Sequence, residues 1–333
     1  MYKTLTISIL LIILSPQFVF AQEPFTVMSY NVENLFDTRK SGEWDDGEFQ
    51  SDGARRWTNG RYYRKLQNIA KVISAAGEWD TPTIIGLCEV EGDSAVSDLL
   101  SRTPLRNMQY QFCTATTNDR RGITNALLYQ RDKFRYISHH SHQIHFRKRE
   151  KKSRNILHVC GQNTKLDTLD IFVCHFPSRY MGERESERDR IDAATHLRSL
   201  CDSLYDARNL CRIIIMGDFN DTPTNKSLSE ILKAKRIKGN QTTGQEGLQL
   251  FNLFHNAKGS HKHQGKWQQI DHIIISEVLI KELQPQSVQT FSPKFILAKD
   301  NTFQGYRPMR TFHGFKHEGG FSDHLPLLAS FTF

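Results

Sequence analysis

The chain has 333 residues, of which 38% are apolar and 24% charged, with a net charge of +8. It shows no internal repeat, low-complexity tract or Pro/Gly/Ser-rich linker. Its six scattered cysteines, with no CxxC pair, exclude a disulfide-framed scaffold and a zinc ribbon. Residues 1–21 carry Lys3, an apolar run from Leu5 to Leu14, and Val19 and Ala21 at the −3 and −1 positions of a signal peptidase site. The run is too short for the ~20 residues that span a bilayer. Cleavage after Ala21 is expected, leaving residues 22–333 as one large domain, secreted or periplasmic and with no stable membrane insertion. Loss of Lys3 lowers the charge from +8 to +7. That suits a polyanionic partner such as nucleic acid or an anionic membrane surface, although solvated surface charge would read the same.

In chain order, strand-like runs rich in β-branched residues fall at Phe25–Tyr30, Thr83–Cys88, Ala126–Tyr129, Ile156–Val159, Leu169–Cys174, Arg212–Gly217, Ile270–Ser276 and Leu325–Phe331. Between the first two, residues 38–60 are polar and glycine-containing and predict a long surface loop near the active edge. A helix is predicted over Arg61–Ala76, with Leu66, Ile69, Ala70 and Ile73 on one face. His139–Arg154 holds four histidines and six Lys/Arg and reads as a solvated hairpin loop, with a phosphate-gripping arm as the sharper alternative. His139, His140, His142 and His145 lack the carboxylates or cysteines that would complete a metal motif. Cys88, Cys160 and Cys174 read as small buried hydrophobes, and a Cys160–Cys174 disulfide is open if their strands form a hairpin. A second helix is predicted over Glu185–Tyr205, burying Ile191, Ala194, Leu197, Cys201 and Leu204. The alternation predicts an α/β protein with helix-covered sheets.

Several of these strands end in residues capable of metal or phosphate chemistry. Tyr30 leads into Asn31, Cys88 into Glu89, Cys174 into His175, and Gly217 into Asp218-Phe219-Asn220. Asp323-His324 precedes the last strand and joins the same edge if that strand runs opposite to the others. Glu89 at the end of a buried strand needs a cation, and a hard divalent ion with Asn31 as a neutral oxygen ligand would serve. Asp218 could orient or deprotonate a water, and Asn220 could donate to a developing phosphorane oxygen. Asp271 at the start of an apolar strand could fix the tautomer of His324 and raise its pKa. Taken singly, each has a plain structural reading: an Asx-turn at 218–220, a salt bridge at Glu89, a core histidine at 175, a strand cap at 323–324.

Seven strings in order, MSYNVENLFD, IIGLCEVEG, DRRGITNALLY, VCHFPSR, IIMGDFNDTP, QIDHIIIS and GGFSDHLPL, resemble the endonuclease/exonuclease/phosphatase superfamily of DNase I-like and exonuclease III-like enzymes. The resemblance implies a four-layer α/β sandwich, two central mixed sheets flanked by helices, with the site at one edge. It implies metal-binding positions at Asn31 and Glu89, with Asp323 aiding metal binding or catalysis. Asp218 matches the residue that aligns or activates water, Asn220 and His175 contact the scissile phosphate, and His324 with Asp271 forms the essential histidine and its partner. Arg121 matches a phosphate contact, though Thr124 and Asn125 stand where relatives often place an Asp.

The implied activity is Mg²⁺-dependent hydrolysis of phosphate mono- or diesters, with Mn²⁺ as a substitute, by a monomer. The mature charge of +7 and the basic stretches Arg147–Arg154 and Arg184–Arg190 favour nucleic acid as substrate and an endonuclease as the activity. The alternatives are a phospholipid or sphingomyelin phosphodiesterase, for which Phe303, Tyr306, Phe312 and Phe315 are candidate contacts, a sugar or inositol phosphatase, and a catalytically dead binding protein of the same fold.

Overall fold

A computed structural model describes residues 24–333 except 41, 78–79, 148–150, 181, 209 and 238–245. The expected signal segment 1–21 lies outside the described residues, and no helix within them is long and apolar enough to cross a membrane.

In chain order the first half contains β1 (Phe25–Leu35), α1 (Asn59–Ala76), β2 (Ile84–Val90), α2 (Gly92–Ser101), β3 (Tyr110–Thr114), β4 (Thr124–Gln130), β5 (Arg135–His142) and β6 (Ile156–Gln162). There follow β7 (Thr168–His175), α3 (Glu183–Arg208), β8 (Arg212–Asp218), β9 (Ala234–Arg236), β10 (Leu250–Asn252), β11 (His261–His263), β12 (Lys266–Gln268) and β13 (Asp271–Ser276). After β14 (Gln289–Thr290), β15 (Leu297–Lys299) pairs with β16 (Tyr306–Pro308) and β17 (Phe312–His313) with β18 (Lys316–His317), before β19 (Leu327–Phe331) closes the chain. Among the described residues one mixed sheet has the order β14-β19-β1-β2-β4-β3 and the other β5-β6-β7-β8-β13-β10-β9.

The period-2 alternation of the strands sorts their side chains into two layers of core. Val27, Ile84 and Leu127 of the first sheet meet Val159, Ile171, Val173, Ile214, Met216 and Ile273 of the second. Met28, Tyr30, Ile85 and Leu87 turn outward onto α1 and α2, and Phe172, Ile213, Ile215 and Ile274 onto α3. The result is the expected four-layer sandwich. The sheets approach so closely at Gly86 that a Cβ there would lie 2.5 Å from the Met216 sulfur.

Four expectations are corrected. His139–His142 belong to β5, paired to β6, so the solvated loop begins only after it. Arg154, at the end of that segment, is not part of a free arm: it is buried, ion-paired to Asp119 at 3.1 Å and donating to the Phe176 carbonyl at 2.7 Å. β6 and β7 do form an antiparallel hairpin, but Cys160 faces Asp170, with Cys174 further along β7, and both thiols are free. The 38–60 loop is also more than surface. Phe49 stacks on Phe36 at 4.1 Å, and buried Trp57 donates its indole N–H to the Phe36 carbonyl at 2.9 Å.

Candidate active site

The carboxyl ends of the central strands bring the predicted residues to one edge. β1 runs parallel to β2, and β7 parallel to β8, with His175 paired to Asp218 and Asp271 of β13 opposite Asp218. β19 runs antiparallel to β1, which returns Asp323 and His324 to that edge. Register shifts after Asn31 in β1 and after Cys88 in β2 mark bulges, and bulges re-aim side chains. Glu89 and Asn220 hold the left-handed backbone region, at φ 67° and 51°. Such conformations cost a non-glycine residue roughly 1–3 kcal/mol and cluster where a site must be built. Gly217, at φ 134°, admits the Cys174 carbonyl, which a Cβ would meet at 1.9 Å, so β7 and β8 can deliver His175 and Asp218 side by side.

Asn31 sits at the centre. Its amide nitrogen donates to Glu89 at 3.2 Å and to Asp218 at 3.1 Å, and its oxygen accepts from the Glu33 N–H at 3.0 Å. In this geometry its amide ties the Glu89 and Asp218 carboxylates together at the centre of the site. Glu89 is fixed from its other oxygen by the Asn34 N–H at 2.8 Å. His175 Nε2 lies 3.6 Å from Asp218 and 3.8 Å from Glu89. Asn220 donates its backbone N–H to Asp218 at 2.8 Å and its side-chain amide to the Phe176 carbonyl at 3.1 Å.

The second half of the site is a relay. His324 Nδ1 contacts Asp271 at 2.7 Å, and His324 Nε2 faces Asp218 at 3.8 Å and Asp323 at 3.9 Å. Ser260 donates to the same Asp271 oxygen at 2.5 Å, and Ser322 ties the turn to β1 by donating to the Asn31 carbonyl at 2.7 Å. Burial opposes a charged His324, but Asp271 and Asp218 outweigh it, and its pKa is raised well above the ordinary imidazole value. Burial first, then the Asp271 charge, push Asp218 up to about 7. Burial, with help from Arg154 and Arg121, holds His175 far below the usual imidazole range, so it is neutral.

Arg121 stands at the margin. Its guanidinium is 3.3 Å from Asp119 and 3.4 Å from the Asn34 oxygen, the residue whose N–H holds Glu89. Asn125 is buried and donates to the Asn155 carbonyl at 2.9 Å, a structural role.

Sequence patterns did not single out several supporting residues. His261 of β11 bridges to His324, and their rings lie 4.7 Å apart. Asp221 anchors the turn after Asn220: buried Arg190 pairs with it at 2.7 Å and Arg179 at 3.1 Å. Glu33 accepts from the Thr311 and Phe312 N–H groups at 2.6 and 3.1 Å, fixing the loop behind Asp323. The one available signal for His261 was GSHKHQG lying just upstream of QIDHIIIS, since a hairpin there would fold back on the site.

These side chains line a cleft of about 720 Å³ with Glu89, His175, Asp218, Asn220, His261, Asp323 and His324 on its walls. Two sets of donors lie within 4.8 Å of one another, His261–Asp323–His324 and Asp218–Asp271–His324. The gathering of buried carboxylates fits a divalent cation.

A sequence model described as the Endonuclease/Exonuclease/phosphatase family matches residues 26–332. The chain belongs to this family. As a member of the endonuclease/exonuclease/phosphatase family it is a hydrolase of phosphoester bonds, and the family's usual dependence on divalent metal agrees with the acidic cleft. No curated protein matches it in a comparison of sequences. Among solved structures it is similar to the human Nocturnin catalytic domain with bound sulfate, at 15% identity and a TM-score of 0.55, covering 93% of this chain and 94% of that one. It is similar to a mannosyl-6-phosphatase of Bacteroides thetaiotaomicron at 16% identity and TM-score 0.54, covering 93% and 100%. It is also similar to D. rerio TDP2 complexed with single-strand DNA product, at 12% identity and TM-score 0.53, covering 93% and 99%. At these identities the likeness is one of fold.

Proposed function

We propose that the chain is an exported, Mg²⁺-dependent phosphoesterase that cuts phosphodiester bonds in nucleic acid by in-line attack of water. The observation that carries the chemistry is the Asp271–His324–Asp218 relay at 2.7 and 3.8 Å, closed on its far side by His175. Asp218, held by Asn31 and the Asn220 N–H, takes the proton of the attacking water. His324, kept protonated by Asp271, donates to a phosphate oxygen. Neutral His175 and the second amide hydrogen of Asn220 donate to the equatorial oxygens, and removing one such donor should slow hydrolysis ~10²–10³-fold. A Mg²⁺ ion held by Glu89 and Asn31 and aided by Asp323, with Mn²⁺ as a substitute, would neutralise the phosphate and the leaving oxygen.

Nucleic acid is favoured by the net charge, +8 for the whole chain and +7 once Lys3 is lost with the signal segment, and by Tyr180, 96% exposed at the cleft rim, where a base can stack on it. One observation favours a sugar or inositol phosphate instead. Many cations of the basic stretches are spent internally: Arg147 on Asp192, Lys151 on Asp189, Arg154 on Asp119 and Arg190 on Asp221. Incubating the mature protein in Mg²⁺ with supercoiled plasmid, and separately with sugar and inositol phosphates, decides between the two. Metal-dependent nicking supports the nuclease; phosphate release with intact plasmid moves the substrate to small phosphomonoesters.

A further inference from the structure

We infer that His261, Asp323 and His324 form a second cation position, selective for a nitrogen-seeking ion of the Zn²⁺ class, whose occupation shuts the catalytic cleft. The inference rests on the hydrolytic reading of the same cleft.

His261 Nε2 lies 4.0 Å from one Asp323 oxygen and His324 Nε2 lies 3.9 Å from the other, and the three donors fall within 4.8 Å of one another. Two ligands each ~2.0–2.2 Å from a tetrahedral zinc stand roughly 3.3–3.5 Å apart, so loading asks for a contraction of at most about 1.5 Å from the 4.8 Å bound. The scaffold already fixes both imidazoles. His261 and His324 are bridged backbone to backbone, and the Leu325 N–H donates to the Ser260 carbonyl at 2.8 Å. Asp271 occupies His324 Nδ1 at 2.7 Å, leaving Nε2 as the ligand nitrogen; a carboxylate behind a metal-binding histidine raises its basicity and sets its orientation. His261 Nδ1 is buried without a hydrogen-bond partner, and Nε2 is the nitrogen this ring turns to Asp323.

Donor chemistry separates this position from the one assigned to Mg²⁺. Two imidazoles and a carboxylate match zinc, whereas Mg²⁺ prefers oxygen and bound water. Asp323 serves both positions, and zinc on His324 Nε2 removes the hydrogen that the mechanism gives to the phosphate. Zinc therefore competes for a Mg²⁺ ligand and caps the essential histidine at once.

The test titrates Zn²⁺ into the mature protein in saturating Mg²⁺, reading zinc affinity by competition with a chromophoric chelator and hydrolysis in parallel, for wild type, His261→Ala and His261→Gln. The expected result is that zinc inhibits wild type over the range in which it binds, and that both variants lose at least tenfold in zinc affinity while their inhibition shifts to higher zinc by the same factor. Equal zinc affinity in wild type and in either variant that retains the wild-type fold by circular dichroism would overturn the site. If no substrate is hydrolysed in any metal, the reading of the cleft as a hydrolase fails, while the chelator competition still decides whether His261 holds zinc.

Discussion

Asp218 is buried beside a second carboxylate, Asp271, and its pKa of about 7 is the consequence. A base in that range is half-deprotonated near neutrality, so hydrolysis should rise with pH through that value. Asp271→Asn removes the neighbouring charge, so the acid limb of the pH–rate profile should move to lower pH, and kcat should fall because His324 loses its support. A limb that stays in place would detach the two residues. The same burial has a stability cost. A carboxylate whose folded pKa is raised contributes stability that is full below its ordinary pKa of 3.8 and is lost as pH rises through about 7. In EDTA, Asp218→Asn should therefore gain melting temperature relative to wild type on going from pH 5 to pH 8 while hydrolysis is abolished. A constant difference across that range would contradict the assignment. At this scale the motif residues were legible because strand ends deliver them; His261 was not, because only a β-bridge between distant segments puts its ring on His324.

Elements position these residues through a few contacts that tolerate no extra atoms. Gly86→Val would drive a side chain into Met216 and Val173 and push the sheets apart, at ~1–3 kcal/mol by overpacking. Gly217→Ala would strain a φ of 134° and collide with the Cys174 carbonyl, separating His175 from Asp218. Both should lower the melting temperature by several degrees, and Gly217→Ala should also reduce kcat; wild-type behaviour in calorimetry and kinetics would refute these packing roles. Arg190→Ala removes the fully buried partner of Asp221 but leaves Arg179 at 3.1 Å, and should cost about 1.5–3 kcal/mol in chemical denaturation. The central strands could be read from their apolar alternation. α2 was missed because it is short, with a buried face of only Ala95, Val96, Leu99 and the polar Asp98. β5 was missed because its residues are largely polar and none is fully buried at its sheet edge, so its sequence looks like a loop and only pairing to β6 makes it a strand.

At the scale of the whole molecule, the first and last strands lie side by side in one sheet and the two sheets share a core, so residues from 31 to 324 meet at one edge. The sandwich holds the strand ends fixed, and turns beyond them carry the polar groups, which is why chemistry gathers there. Net charge was the weakest guide, because the folded chain pairs so many of its cations internally. The central claim is that this cleft hydrolyses phosphate esters with a divalent metal, using Glu89 and the His324 relay. It is tested most directly by following cleavage of an activated phosphodiester such as bis(p-nitrophenyl) phosphate by purified residues 22–333 in Mg²⁺, in EDTA, and in folded Glu89→Ala and His324→Ala variants. The account predicts turnover that requires Mg²⁺ and is lost in both variants; full activity in either variant, or in EDTA, would contradict it.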